Sequence, residues 1–387
     1  MRSTPEGQLL QRIIGSTQRD ASSGGGRQQL TEDYLSGEIA RSAPTPMLEL
    51  AVTVAGRRRQ LYLKLEGHSR WNSIKGRTAL ALMASIAHRL GDTSTVVEST
   101  SGNLGVALAG TCADLGVAFT AVVDTRLPPR LAARMQFLGA RVLMIENTGD
   151  GKYLQHRIAR VRQLLAEDHQ AVWTNQYDNR ANVAVHRWWT GPELGRQLPQ
   201  KARVVFAPIS TGGSFTGIHD YLACDHPEID CVAVDVRGST IFGGPPAARL
   251  ITGIGASKPS TFLDANALPA HVMVSDAEAI SACRTLAHDT GIGVGGSSGA
   301  VLVGCLRFLR DRPDIEAAVC ICPDLAANYE ETLYNDDWLS RSGLTGAQSG
   351  LQVDGAAIRF SRPPRPIHDR SPGLTGSPFA EATQPRN

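Results

Sequence analysis

Four short segments of this chain carry groups that could take hold of a small anionic ligand. In Ser73-Ile74-Lys75-Gly76-Arg77 a lysine stands just ahead of a stretch with helical apolar spacing. A lysine amine becomes a nucleophile toward carbonyl carbon when burial or a nearby cation lowers its pKa; a surface lysine in a first helical turn fits this pentapeptide too. Residues 98–105, ESTSGNLG, put Thr100, Ser101, Gly102 and Asn103 at a strand-to-helix turn. Hydroxyls, an amide and the N–H groups of a helix start suit a carboxylate, and they suit a plain N-cap as well. Residues 208–217, PISTGGSFTG, offer Ser210, Thr211, Gly212, Gly213 and Ser214 in succession. Backbone N–H groups gather around phosphate in such turns. The segment has neither the lysine of a nucleotide P-loop nor the GxGxxG of a dinucleotide site. Residues 293–300, GVGGSSGA, open a further helical stretch. Ser297 or Ser298 there could bond a ring nitrogen, with glycines letting a flat ring approach the backbone.

These segments need a scaffold that aims several loops at one point. Apolar, β-rich runs occupy residues 60–65, 95–98, 118–123, 142–145, 171–174, 204–208, 231–236 and 317–321. Helical stretches alternate with them: Ala79, Met83, Ile86 and Leu90 share one face, as do Leu154, Ile158, Val161 and Leu165. Such alternation predicts an α/β fold, with parallel sheets covered on both faces. Ligands in these folds sit where strand ends feed loops into helix N-termini, and all four segments lie at such junctions. In order, an amine, a carboxylate cradle, a phosphate loop and a Ser-Gly turn are the parts a pyridoxal 5′-phosphate (PLP) enzyme requires.

The bulk properties fit that scaffold. The 387 residues are 42% hydrophobic and 20% charged, with a net charge of +2, the balance of a globular chain large enough for two domains. No basic run is interleaved with aromatics, so nucleic acid is not an expected partner. Residues 1–15 lack an apolar stretch of signal-peptide length, and Asp114 interrupts the most apolar region, residues 106–123. The expectation is a cytoplasmic protein with no membrane partner. The seven cysteines are scattered, and Cys320 and Cys322 share one strand face, which reads as buried thiols. The ten histidines show no ligand spacing, and no metal is expected. Residues 16–28 read as a flexible linker. From about Gly343 the composition turns to Gly, Ser, Pro and Arg, which reads as disorder. The expected organisation is an N-terminal extension at 1–40, partly flexible; a smaller α/β domain, mostly 41–186, with Lys75 and the carboxylate cradle; a larger one, mostly 187–342, with the phosphate loop; and a disordered tail at 343–387.

Over residues 43 to 340 the sequence resembles the PLP-dependent cysteine synthase / cystathionine β-synthase family. The resemblance rests on Pro44-Thr45-Pro46, Lys64-Leu65-Glu66, Ser73-Ile74-Lys75, Thr100-Ser101-Gly102-Asn103, Thr190-Gly191-Pro192-Glu193, Ser210 to Ser214, Gly253-Ile254-Gly255-Ala256 and Gly296-Ser297-Ser298-Gly299. It implies fold type II (tryptophan synthase β-like): two three-layer α/β/α domains with PLP in the cleft between them. It implies that Lys75 binds the cofactor as a Schiff base and shuttles the substrate's α-proton. Thr100, Ser101, Gly102, Asn103 and Gln176 would bind the substrate carboxylate, Asn103 also meeting the cofactor's ring hydroxyl. Ser210, Thr211, Gly212, Gly213 and Ser214 would hold the cofactor phosphate, and Ser297 would face the pyridine nitrogen. A neutral hydroxyl there makes the ring a modest electron sink, suited to losing a β-leaving group.

Three departures from the family pattern stand out: Gly76 where an aspartate is usual, Leu104 where a threonine is usual, and residues 323–329, PDLAANY, without the arginine common before that tyrosine. Asn175-Gln176-Tyr177, Arg237-Gly238-Ser239 and Gly255-Ala256-Ser257 resemble most closely the N-(2-amino-2-carboxyethyl)-L-glutamate synthases. That branch begins 2,3-diaminopropionate formation for the siderophore staphyloferrin B and for viomycin- and capreomycin-type antibiotics. It implies β-replacement through an aminoacrylate, with O-phospho-L-serine (or O-acetyl-L-serine) as first substrate and L-glutamate as nucleophile. Arg237 and Ser257 are the candidates for lining the nucleophile's path. The family further implies a homodimer that binds small amino acids, with a downstream oxidoreductase in the same pathway. A sulfide-using cysteine synthase and a catalytically silent relative with a binding or regulatory role are the alternatives.

Overall fold

The computed structural model describes residues 5–14, 25–146, 152–265, 268, 270–348, 350–353 and 355–363. The chain starts with helices α1 (Pro5–Ile14) and α2 (Gly25–Arg41), then a hairpin of β1 (Met47–Val54) and β2 (Arg57–Leu65). Helix α3 (Lys75–Ile86) leads into β3 (Thr95–Ser99), α4 (Asn103–Leu115), β4 (Ala118–Val123), α5 (Pro129–Phe137), β5 (Arg141–Met144), α6 (Tyr153–Glu167) and β6 (Ala171–Trp173). After α7 (Ala181–Val185), a π-helical turn His186–Thr190 and α8 (Gly191–Gln197) come β7 (Ala202–Pro208), α9 (Gly213–Asp225), β8 (Asp230–Val236) and β9 (His271–Val274). Helices α10 (Asp276–Thr290) and α11 (Gly296–Asp311), strand β10 (Ala317–Cys322), α12 (Asp336–Arg341) and the short strands β11 (Gln352–Val353), β12 (Ala356–Ala357) and β13 (Phe360–Ser361) complete it. Among the described residues no helix is long and apolar enough to cross a membrane.

Two sheets result, in the order β5-β4-β3-β6 and β13-β1-β2-β10-β7-β8-β9. The first is wholly parallel, and in the second only the pairings of β1 with β2 and with β13 are antiparallel. Strand residues alternate between two cores, as a period of two requires. Val204 and Phe206 pack with α10 and α11, while Val205 and Ala207 pack with α8 and α9. In the smaller sheet Val96 packs with α2 to α5 and Val97 with α6. Both sheets are therefore covered on both faces, an α/β architecture of the expected class. Helix ends follow local rules: Ser275 and Glu278 form a capping box on α10, which stops at a left-handed Gly291.

Three boundaries differ from the sequence reading. Strands β1 and β2, expected within the smaller domain, pair into the larger sheet through β10, so that sheet owns the chain's first hairpin. Residues 25–28, expected in the linker, open α2, while 15–24 lie outside the described residues. The tail expected from Gly343 is structured to residue 363: Leu351, Val353, Ile358 and Phe360 are buried in the larger core, and β13 pairs with β1. Average composition hid these residues because four apolar side chains are spread among Gly, Ser and Arg; each buried one still contributes about 1.5–3 kcal/mol. Residues 364–387 of that tail lie outside the described residues.

Candidate active site

The loops at the ends of both sheets meet in a cleft. Lys75, Thr100, Ser101, Gly102, Asn103, Gln176, Ser210, Thr211, Gly212, Ser214, Ser257 and Ser297 line it. Gly213 sits one layer behind, where a β-carbon would come 2.4 Å from the Asn182 side chain. Arg237 is not brought in: it is exposed and does not line the cleft.

Lys75 is the first residue of α3, and burial lowers its amine to about 8. Two residues on, Arg77 anchors the helix from below. Its guanidinium donates to Glu66 Oε2 at 3.0 Å and Glu193 Oε2 at 2.8 Å, and Lys64 Nζ contacts the same Glu193. Thr45, Glu66 and Glu193 thus tie the first hairpin, α3 and α8 together through fully buried charges. The glycine at 76 has a steric reason: a β-carbon there would lie 2.2 Å from the Arg70 carbonyl oxygen. Arg70 is carried close by a turn in which Trp71 and Asn72 hold positive φ of 65° and 60°.

The turn after β3 both caps a helix and faces the cleft. Thr100 Oγ1 accepts from the amides of Gly102 (3.2 Å) and Gly105 (3.0 Å), leaving its hydroxyl proton for another acceptor. Gln176 is locked beside it: its side chain donates to Ser99 O at 2.7 Å, and its amide donates to buried Glu98 at 3.1 Å. The Asn103 amide donates to Asp324 Oδ2 at 2.6 Å and accepts from Asn328 at 3.1 Å. Asp324 is a cleft residue that sequence reasoning left without a role; burial raises its carboxyl to about 6, where it is part protonated near neutrality.

On the opposite side Gly212, at φ 96°, turns β7 into α9 so that successive N-terminal amides face the cleft. Ser214 Oγ lies 3.0 Å from His186 Nε2, whose ring also meets Thr78 of α3 at 3.0 Å and Thr190 at 2.9 Å. Burial, with Lys75 and Arg77 near, holds His186 well below its usual pKa, so it bridges the two helices as a neutral ring. Ser297 opens α11 across the cleft.

The structure adds a cationic wall that the motifs did not reveal: Arg126, Arg157, Arg249 and Lys258. Asp124, at the end of β4, accepts from Arg126 Nε and Nη2, both at 3.0 Å, and stands 3.2 Å from Arg157 Nε. Arg126 also stacks over Tyr153, 4.1 Å from the ring centre. Arg157 Nη1 is buried without a hydrogen-bond partner among the described residues. Arg249 Nη2 donates to Ser257 Oγ at 3.2 Å.

Residues 41–324 match the pyridoxal-phosphate dependent enzyme family. The chain belongs to it. It is 36% identical over 319 residues, 81% of its length and 93% of the relative's, to the N-(2-amino-2-carboxyethyl)-L-glutamate synthase of Ralstonia nicotianae. The synthase of the same name from Cupriavidus metallidurans is 36% identical over 79% of this chain and 92% of its own. Among solved structures, the O-acetylserine dependent cystathionine β-synthase of Helicobacter pylori superposes with a TM-score of 0.69 at 26% identity, covering 76% of this chain and 97% of that one.

The cleft of this pyridoxal-phosphate dependent enzyme fits its cofactor on physical grounds. Lys75 is an amine whose shift comes from burial alone, so the neutral form that attacks an aldehyde is accessible. The turn at residues 210–214 brings to the cleft the kind of amides and hydroxyls that bind phosphate, and Asn182 leaves no room there for a side chain larger than that of Gly213.

Proposed function

We propose that this enzyme replaces the phosphate of O-phospho-L-serine by the α-amine of L-glutamate, giving N-(2-amino-2-carboxyethyl)-L-glutamate, a precursor of L-2,3-diaminopropionate. The observation that carries the reading is the 36% identity, over most of both chains, to synthases of that name. The four cations on the cleft wall support it, because both the leaving group and the nucleophile are then anions. Sulfide, the nucleophile of the alternative cysteine synthase, needs no such wall.

When bound, PLP supplies an electron sink for the substrate's α-carbon. The amides and hydroxyls of residues 210–214 would hold its phosphate, Ser297 would face its pyridine nitrogen, and Lys75 would be the attachment point. Thr100, Ser101, Asn103 and Gln176 fix the substrate carboxylate, which orients its α-proton toward Lys75. Lys75 Nζ takes that proton and later returns it to the same carbon, a role its lowered pKa suits. Asp324 positions Asn103. Arg126 and Arg157, aligned by Asp124, stabilise the departing phosphate. We further place the enzyme as a cytoplasmic homodimer acting on free amino acids and feeding an oxidoreductase.

Mass spectrometry of products from O-phospho-L-serine and a panel of amine and thiol nucleophiles tests the assignment. The glutamate adduct with release of inorganic phosphate is expected. Cysteine formed from sulfide, with no glutamate adduct, would leave only a cysteine-synthase reading.

A further inference from the structure

The cleft does not end at the cationic wall. A second space adjoins it, and the two share Arg126, Arg249, Thr252, Ser257 and Tyr329. Anything reaching the cofactor cleft from this outer vestibule passes these residues. Arg126 has its guanidinium held on two nitrogens by Asp124. Arg249 is different. Its one hydrogen bond among the described residues runs from Nη2 to Ser257, and its Nη1 is buried with no partner. The acids nearest in charge, Asp235 and Asp276, act on it at a distance: each has one carboxylate oxygen engaged by a backbone amide, of Val236 and Leu250, and neither hydrogen-bonds the guanidinium among the described residues. The backbone also makes room for the guanidinium: a β-carbon on Gly255, whose φ is +72°, would stand 2.2 Å from Arg249 Nη1. A buried guanidinium nitrogen with unused donors is costly unless an anion completes it.

We infer that Arg249, with Ser257, is the receptor for the side-chain carboxylate of the nucleophile, and that the outer vestibule is the nucleophile's entrance. This rests on the glutamate reading above and specifies which residue enforces it. The attacking amine must reach the β-carbon inside the cleft, and the α-carboxylate, on the adjoining carbon, stays inside with it. The γ-carboxylate is separated from the α-carbon by two methylenes, so it projects back toward the shared wall. A guanidinium there distinguishes L-glutamate from L-glutamine by one charge at constant shape.

Two measurements on the holoenzyme separate the possibilities. Phosphate released from O-phospho-L-serine alone in a single turnover reads the first half of the reaction; product formation against L-glutamate and L-glutamine reads the second. In Arg249→Gln the KM for L-glutamate should rise about tenfold or more and the preference for glutamate over glutamine should fall by a similar factor, the worth of one charge-assisted contact. The effect should fall on the second half, with phosphate release close to wild type, and Arg249→Lys should recover part of the preference. An unchanged glutamate preference in Arg249→Gln overturns the inference, as does an equal loss of phosphate release, which would assign Arg249 to the first substrate. If wild type forms no glutamate adduct, the glutamate reading falls by itself. Arg249 is then judged on whichever nucleophile is used: a loss confined to nucleophiles with a side-chain carboxylate upholds the assignment, and unchanged kinetics for all of them overturns it.

Discussion

Two clusters of charge, one buried beside the first turn of helix α3 and one lining the cleft, are built on different rules. Below the helix, Lys64 and Arg77 face Glu66 and Glu193, two cations against two carboxylates, with Thr45 donating to both carboxylates and Gln197 accepting from Lys64. Around the cleft, four cations line the wall, and Asp124 compensates two of them. A matched cluster holds its own geometry and has nothing left to offer a ligand. An unmatched one is held in place by the fold and completed by what binds, which is the condition for selecting an anion. The contrast gives each cluster its own expected response to mutation.

The largest effect should come from breaking the matched cluster. Glu193→Gln keeps the shape but leaves Lys64 and Arg77 sharing the single charge of Glu66, and removing one partner of a buried pair costs about 3–5 kcal/mol. Urea unfolding should show that loss with an unchanged m-value. Glu193 is held down at about 2 by Arg77 and Lys64 against the opposing effect of burial. A depressed carboxyl contributes stability that is present above its unfolded value and lost as pH falls toward the folded one, so the mutant and wild-type stabilities should converge between about pH 4.5 and 2. A cost under about 1 kcal/mol near pH 7 would show that the cluster is not a matched unit.

Smaller, and falling on activity rather than stability, is the response of the unmatched wall. Arg157→Met removes a donor group whose Nη1 has no protein partner, while Asp124 keeps both hydrogen bonds from Arg126. Phosphate release from O-phospho-L-serine should slow about tenfold to a hundredfold, the worth of a charge-assisted hydrogen bond of 1.5–3 kcal/mol. The thermal midpoint should move by only a few degrees. A large stability loss with unchanged phosphate release would place Arg157 with the matched cluster instead.

What was legible in the sequence follows the same division. Lys75 and the three polar turns were readable because each is contiguous: a few small polar residues leading straight into a helix start. The parallel strands were readable because burial on both faces gives unbroken apolar runs. The cationic wall comes from three separate stretches, the loop after β4, helix α6 and the irregular chain between β8 and β9, and no spacing links them. Arg237 looked suitable because it directly follows β8, yet the chain runs on to Arg249 before folding back over the cleft. The signal was present at Gly255, whose missing side chain leaves the guanidinium its place. Gly76 was legible only as a departure that kept a silent relative in view. The carbonyl of Arg70, too close for any β-carbon, explains it without loss of chemistry.

Lys75 is the third case, a buried cation with no carboxylate partner, and it sharpens the comparison because an amine, unlike a guanidinium, can shed its charge. Burial lowers it to about 8, so between pH 7 and 9 its neutral fraction climbs about tenfold and then saturates, whereas an ordinary lysine near 10.4 would still be climbing steeply. The rate at which apoenzyme takes up PLP, followed by the visible absorbance of the Schiff base, should therefore rise through about pH 8 and level off above 9. Lys75→Ala should show no such absorbance at any pH, which confirms the probe. A rate that keeps increasing tenfold per unit beyond pH 9 would mean that a carboxylate stabilises the charged amine, and that Lys75 belongs with the matched cluster below it rather than with the open wall above.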